Sequence, residues 1–363
     1  MRVLLICPYS LSTPGGVQGQ VLGLARALRE LGVDARVLAP SDGPPPEPGV
    51  VTVGPSTKVP SNGSVAPIAH GKDQARLTLD AIEALGPDVL HLHEPLVPGP
   101  NQAALLGCDV PAVGTFHAAG AAPAYRYLRK PLRSMVDRLA VRTAVSEEAR
   151  RLAQEAFGGE FLVLPNGVDV PRFAKAERWP ADRPVILFVG RHEERKGLVV
   201  LLDAFEGLDR DAVLWVGGEG PETEELRARG LPGVEWLGRL SDHDLARRLR
   251  GAGVFCAPSL HGESFGVVLL EAMAAGTPVV ASGIPGYANV ARSDREALLV
   301  PPADVTALRG ALRRVLDEPS LAARLVAAGS ARAAEFSLAR LAERLVPVYE
   351  RAMATGRPLT RRR

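Results

Sequence analysis

Cysteine is scarce in this chain. The three present, Cys7, Cys108 and Cys256, lie far apart. They offer neither the paired spacing of a zinc site nor a disulfide framework, so a reducing compartment is expected. Charge of one sign is lacking too. A net charge of +2 excludes bulk nucleic-acid binding, which rests on a strong basic excess; any basic feature has to be local. No apolar run approaches the ~18 residues of a membrane span. The opening "MRVLLICPYS" is apolar for only about five residues and runs into Pro and Gly, so it reads as a first strand and not a signal peptide. A cytoplasmic location is the expectation. What is present is ordinary: 46% hydrophobic and 23% charged residues, a globular balance. The 363 residues fit about two domains of roughly 100–200 residues each.

Short apolar runs alternate with longer amphipathic ones. "VLLIC" (3–7), "DVLHLH" (88–93), "PAVGTFH" (111–117) and "LAVRTAVS" (139–146) read as strands, and Val17, Val21, Leu24, Leu28 and Leu31 have helical spacing. This is the βαβ rhythm of a parallel sheet. It restarts after residue 180 with "PVILFVGR" (184–191), "AVLWVGGEGP" (212–221), "VFCAPS" (254–259) and "TPVVAS" (277–282), with "GLVVLLDAFEGL" (197–208) as a helix. The expected class is α/β, with two Rossmann-like doubly wound domains at 1–170 and 171–336 facing a deep cleft. A last helix spans 337–354 and a tail 355–363. The polar segment "KAERWPADRP" (175–184) reads as the linker. Ligands of such sheets bind at the carboxyl ends of the strands, so chemistry is sought there.

Gly15 and Gly16 follow the first strand and open a helix, where backbone amides can face an anion; an ordinary βα turn would look the same. The dinucleotide fingerprint is missing, because it needs a third glycine and a later acidic residue. His91, His93 and Glu94 end one strand and His117 the next. No complete metal-ligand set is visible, and a packed, hydrogen-bonded pair is the expected state of His91 and His93. Arg191, Arg195 and Lys196 cluster before a helix, as cations for a diphosphate or as partners of Glu193 and Glu194.

The stretch "HGESFGVVLLEAMAAG" (261–276) carries two carboxylates, Glu263 and Glu271, and no lysine or arginine. Gly262, Ser264 and Gly266 suggest a turn, with a helix starting near Phe265 whose free amides would face an anion. A rise of about 1.5 Å per residue puts Glu271 roughly 10 Å beyond Ser264, about the reach from a diphosphate to a ribose. A carboxylate can accept from two vicinal hydroxyls at once. The alternative is two solvated glutamates, which the apolar residues 267–270 argue against.

As a set, these residues resemble the retaining GT-B glycosyltransferases (family 4 type) that use nucleotide-activated sugars. The match runs in order through the Gly15–Gly16 loop, His117, "PNGVD" (165–169), "GR…RKG" (190–197), the two glutamates with seven residues between them, and "EAMAAGTPVVAS" (271–282). Within that family the chain most resembles the actinobacterial phosphatidylinositol mannosyltransferases, through "CPYS…PGGVQ" (7–18), "NGSVA" (62–66), "HLHEP" and "FCAP" (255–258). The resemblance implies a donor, GDP-mannose, with Gly16 near its β-phosphate and Arg191 and Lys196 on the diphosphate. Glu263 would hold the donor sugar, flanked by backbone amides of Ser264, Phe265 and Gly266. Glu271 would hold the ribose, and His117 would orient the sugar. It also implies a metal-independent reaction without a resident cofactor, and a final helix returning to the first domain.

The acceptor implied is phosphatidyl-myo-inositol or a related lipid, with Tyr9, Gln18 and Asn62 as ring contacts. A basic stripe, Arg126, Arg129, Lys130 and Arg133, beside an apolar one, Tyr125, Leu128, Leu132, Met135 and Leu139, could lie on anionic membrane. It could equally be a solvated face over a core helix. The loop "AAGAAPA" (118–124) and the segment "HGKDQARLT" (70–78) are less basic than the resemblance leads one to expect. Three competing readings stay open: a glycosyltransferase with another donor and a soluble acceptor, a sugar-nucleotide epimerase of similar fold, and a non-catalytic nucleotide-sugar sensor.

Overall fold

The structure, a computed structural model, describes residues 1–13, 15–61, 64–117 and 129–355, with backbone alone at 60, 61, 64, 65 and 129–131. Asn62, the loop 118–124, Tyr125, Arg126, Leu128 and the tail from 356 lie outside the described residues, as do the side chains of Arg129 and Lys130. The chain divides into two units: Met1–Gly167 together with the segment from Leu338 on, and Val168–Ser337.

The first unit is built on β1 (Arg2–Ile6), β2 (Asp34–Ala39) and β3 (Val50–Thr52), then β6 (Val89–His93), β7 (Ala112–Phe116), β8 (Val141–Ala144) and β9 (Leu162–Val163). An antiparallel pair, β4 (Thr57–Ser61) and β5 (Ser64–Ile68), comes between. The main sheet is parallel, in the order β3-β2-β1-β6-β7-β8-β9. Strands covered on both faces need near-continuous apolar runs. Val3 and Leu5 pack one way, with Leu24 and Leu28 of the helix Gly16–Glu30. Leu4 and Ile6 pack the other way, with Ile82, Leu105 and Phe157. The final helix, Leu338–Thr355, lies against the helix Gly16–Glu30 and buries Leu338, Leu341, Leu345, Val348 and Tyr349 in this unit's core.

The second unit carries β10 (Val185–Val189), β11 (Val213–Gly217), β12 (Val234–Gly238), β13 (Val254–Ala257), β14 (Val279–Ser282) and β15 (Leu298–Val300). Its sheet is parallel, in the order β12-β11-β10-β13-β14-β15. In both sheets the chain moves outward from the first strand and then returns to its other side. The reversal falls between β1 and β6 in one unit and between β10 and β13 in the other, and ligand crevices of doubly wound sheets open at such points.

Two expectations change. The segment 175–184 is not a linker. The unit boundary falls at Gly167/Val168, and Trp179 is packed in the second unit, with the guanidinium of Arg248 3.8 Å and that of Arg247 4.8 Å from its ring centre. Prolines and charges made the segment look open, but the stacked cations cover its aromatic ring. The second is a refinement: the helix expected to start near Phe265 is Val267–Ala274. Gly266 stands at its N-cap with φ +92°, a left-handed value that a side chain adopts only with strain. β2, β3, β9, β12, β15 and the β4–β5 pair are additions to the strands read from sequence. Among the described residues no helix is long and apolar enough to cross a membrane.

Candidate active site

In the second unit, the loops after β10 and β13 meet at the reversal point. The loop after β10 closes with a short 3-10 turn, Glu194–Lys196. The amide of Leu260 donates to the Arg195 carbonyl at 2.8 Å, tying the two loops together. There Lys196 Nζ donates to Glu263 Oε1 at 2.5 Å. Arg195 approaches the same oxygen at 3.4 Å. Behind it the Ser259 hydroxyl donates to Glu263 Oε1 at 3.1 Å, and Tyr287, 2.8 Å from Ser259 Oγ, supplies that oxygen with a proton in turn. Arg191 and Arg195 share Glu193, at 3.3 and 2.6 Å. All three expected cations thus have carboxylate partners, and Ser259 and Tyr287 join the group around Glu263, neither of them named by sequence reasoning. Ser259 was detectable in principle, since it lies two residues beyond the end of β13.

Glu263, Ser264, Phe265 and Gly266 form the turn into the helix Val267–Ala274. Phe265 is buried against Phe336, with ring centres 5.6 Å apart. No side chain caps that helix's first turn, so its leading amides are open to an anion.

Glu271 sits half-buried on the same helix. Among the described residues its carboxyl group has no hydrogen bond or ion pair. Burial raises its pKa from the ordinary 4.5 to about 7, with Arg172 opposing the rise and Asp242 adding to it. Arg172 is itself bonded to Asp242, at 3.2 Å. A carboxyl whose pKa is raised by folding holds its proton more tightly folded than unfolded. Stability should therefore fall as pH rises from 4.5 to about 7, in keeping with proton linkage. The substitution Glu271→Gln is expected to flatten that slope in denaturant melts between pH 4.5 and 7.5. An unchanged slope would place the proton elsewhere.

In the first unit a separate group of the expected residues gathers where β1, β6 and β7 end. Gly15 caps the helix Gly16–Glu30, and a Cβ on it would lie 2.3 Å from Gln18 Oε1, so a side chain there would displace the Gln18 amide. Gly16 has open space around it. Gln18 is buried, its amide donating to the carbonyls of Thr13 at 3.0 Å and Ser10 at 3.3 Å, so it braces the loop. Tyr9 bridges to Ile68 of β5, and burial with nearby Glu94 pushes its phenol pKa up.

His91, His93 and His117 form a buried row. His91 lies 2.8 Å from the Tyr349 hydroxyl and 2.7 Å from Thr115 Oγ1, and it stacks on His93 at 4.3 Å. His93 Nδ1 is 3.0 Å from His117 Nε2. Burial lowers the pKa of His91 to about 3 and of His117 to about 4, and that of His93 well below its ordinary value, so all three are neutral. Glu94 accepts the main-chain N–H of His117 at 2.9 Å. Its own backbone has φ +53°, strain of a kind found at functional positions. Among the described residues no group of three or more His, Cys, Asp and Glu side chains is placed to hold a metal ion.

The basic stripe is described only in part. Leu132, Met135 and Leu139 are buried in the core of the first unit, while Arg133 is exposed. That portion is a solvated face over a core helix.

Known proteins share this architecture and these sequences. Residues 14–172 match the model of Glycosyltransferase Family 4, and residues 169–332 that of Glycosyl transferases group 1. The solved sucrose-phosphate synthase from Thermosynechococcus elongatus superimposes with a TM-score of 0.77 over 97% of this chain and 99% of its own, at 21% identity. It belongs with the GT-B glycosyltransferases, whose fold this is. The phosphatidyl-myo-inositol mannosyltransferase of Mycobacterium leprae is 39% identical over 374 residues, 98% of each chain. That of Mycolicibacterium smegmatis is 39% identical over 98% of this chain and 95% of its own. Similarity of this extent makes the chain a glycosyltransferase that moves a hexose, and it belongs to the family of the phosphatidyl-myo-inositol mannosyltransferases.

Proposed function

We propose that the chain transfers mannose from GDP-mannose to phosphatidyl-myo-inositol or a related inositol lipid, with retention and without a metal. The carrying observation is the Lys196–Glu263 pair at the reversal point of the second sheet, beside an uncapped helix start. Lys196 and Arg191 take the diphosphate, and Glu263, released from Lys196, accepts from the sugar hydroxyls. Glu271, without a protein partner, accepts from the ribose. Gly16 lies by the β-phosphate and His117 by the sugar. As the donor bond breaks, negative charge grows on the leaving diphosphate. Preorganised cations and helix amides stabilise it there, in the role that a metal has in other enzymes. With Glu263 and Glu271 assigned to hydroxyl groups, no carboxylate is assigned as a nucleophile, and a front-face substitution is the mechanism proposed. A covalent glycosyl-enzyme caught by mass spectrometry would overturn that mechanism.

The donor is tested by melting the protein with GDP, UDP and ADP. A ligand at a hundred times its dissociation constant adds about 2.7 kcal/mol of stability. GDP should raise the melting temperature most; a larger shift with UDP or ADP would overturn the choice of donor. The acceptor is tested by transfer of labelled mannose to phosphatidylinositol vesicles. A soluble acceptor is the second reading, favoured by the burial of Leu132, Met135 and Leu139, which removes them from any membrane-facing stripe. Failure to float with anionic vesicles would support it.

A further inference from the structure

We propose that His93 is a positioning residue, which through its ring-to-ring hydrogen bond holds His117 in the tautomer protonated on Nδ1, so that His117 meets its ligand as a hydrogen-bond donor. This rests on the reading of His117 as the sugar contact and adds how that contact is prepared.

The argument begins with the 3.0 Å bond between His93 Nδ1 and His117 Nε2. Both rings are buried, 2% and 7% exposed, and neutral, so one proton lies between these two nitrogens. The other nitrogen of His93, Nε2, is buried and has no hydrogen-bond partner among the described residues. If His117 Nε2 were the donor, neutral His93 would carry its proton on that buried Nε2. A buried N–H would then have no acceptor. With His93 Nδ1 as donor, the buried atom is a bare lone pair. Orphaned buried N–H groups are the rarer and less tolerated of the two. The proton therefore sits on His93 Nδ1, and His117, accepting at Nε2, carries its own on Nδ1.

The rest of the cluster holds this arrangement still. Glu94 accepts the His117 main-chain N–H, so consecutive residues grip the ring and the backbone of His117. Asn101 in turn donates to the carbonyls of His93 and Glu94, at 2.6 and 2.9 Å. His91, stacked on His93, is itself pinned by Tyr349.

The test uses the full chain labelled with 15N-histidine, in which ring-nitrogen shifts separate protonated from bare nitrogens. His117 should show a protonated Nδ1. In His93→Leu that signature should be lost and kcat fall about tenfold, with little change in KM for the donor. His93→Asn, whose amide can donate from near the Nδ1 position, should keep both. A proton on His117 Nε2 in the unaltered protein would overturn the proposal. So would a His93→Leu variant with unchanged tautomer and kcat. An Asn variant losing kcat and melting temperature as fully as the Leu variant would overturn it as well, by marking a structural role. Wild-type transfer by His117→Ala would overturn the parent reading, and with it the catalytic part of this one, whatever the nitrogen spectrum shows.

Discussion

Lys196→Ala is expected to lower sugar transfer by roughly 10²–10³-fold, the cost of removing one preorganised group from a developing oxyanion. The reason is the place of the side chain. Lys196 leaves a tight turn at the end of β10, and its ammonium lies where β10 and β13 diverge, 2.5 Å from Glu263. Its partner survives its loss, because Glu263 keeps the Ser259 hydroxyl at 3.1 Å and Arg195 at 3.4 Å. The melting temperature should therefore stay near that of the unaltered protein while turnover collapses. Lys196→Arg keeps the charge but replaces a compact point charge with a planar fork, and should recover only part of the rate. Because Lys196 and Glu263 serve one donor, Glu263→Gln and Lys196→Ala should be strongly non-additive when combined. Near-normal turnover in Lys196→Ala would sink the assignment of the diphosphate to this loop.

Ending the chain at Ser337 is expected to unfold the first unit, although the residues removed lie at the opposite end of the sequence. The helix Leu338–Thr355 buries Leu338, Leu341, Leu345, Val348 and Tyr349. Each such side chain contributes about 1.5–3 kcal/mol, so their joint loss rivals the whole stability of a domain, about 5–15 kcal/mol. Tyr349 adds a hydroxyl within 2.8 Å of His91, so the loss also reaches the histidine row. Calorimetry on the truncated chain should show the second unit melting alone. Two transitions matching those of the full chain would refute the claim. Tyr349→Phe is the milder probe: it keeps the ring and strands the His91 nitrogen, at about 1–3 kcal/mol.

The parallel sheets were legible because strands covered on both faces are almost wholly apolar. "VILFV" and "VLLI" admit few other readings. The edge strand β12, "VEWLG", was missed because it is only partly covered, and its sequence is correspondingly mixed. The candidate site was legible where chemistry follows a strand end: Arg191 and Lys196 after β10, Glu263 after β13, His117 after β7. Their partnerships were not. Glu263 looked unpaired because its cation lies 67 residues away. Gln18 was expected as a ligand contact; its side-chain amide also reaches back from the helix Gly16–Glu30 to the carbonyls of Ser10 and Thr13, a link that no local pattern announces. In "KAERWPADRP", the tryptophan outweighed the prolines and charges once Arg247 and Arg248 stacked on it.

Periodicity, strand-end glycines and the spacing of two glutamates were enough to determine two doubly wound sheets, a glycine-rich turn into a helix in the second, and the family. These are local properties, carried by residues a few positions apart. Which carboxylate is paired and which stands alone was decided only by the tertiary structure. Glu263 meets Lys196 across a strand reversal, while the buried helix face leaves Glu271 without a partner and raises its pKa to about 7. Burial and long-range contact set those outcomes, and neither is a property of a short stretch of chain.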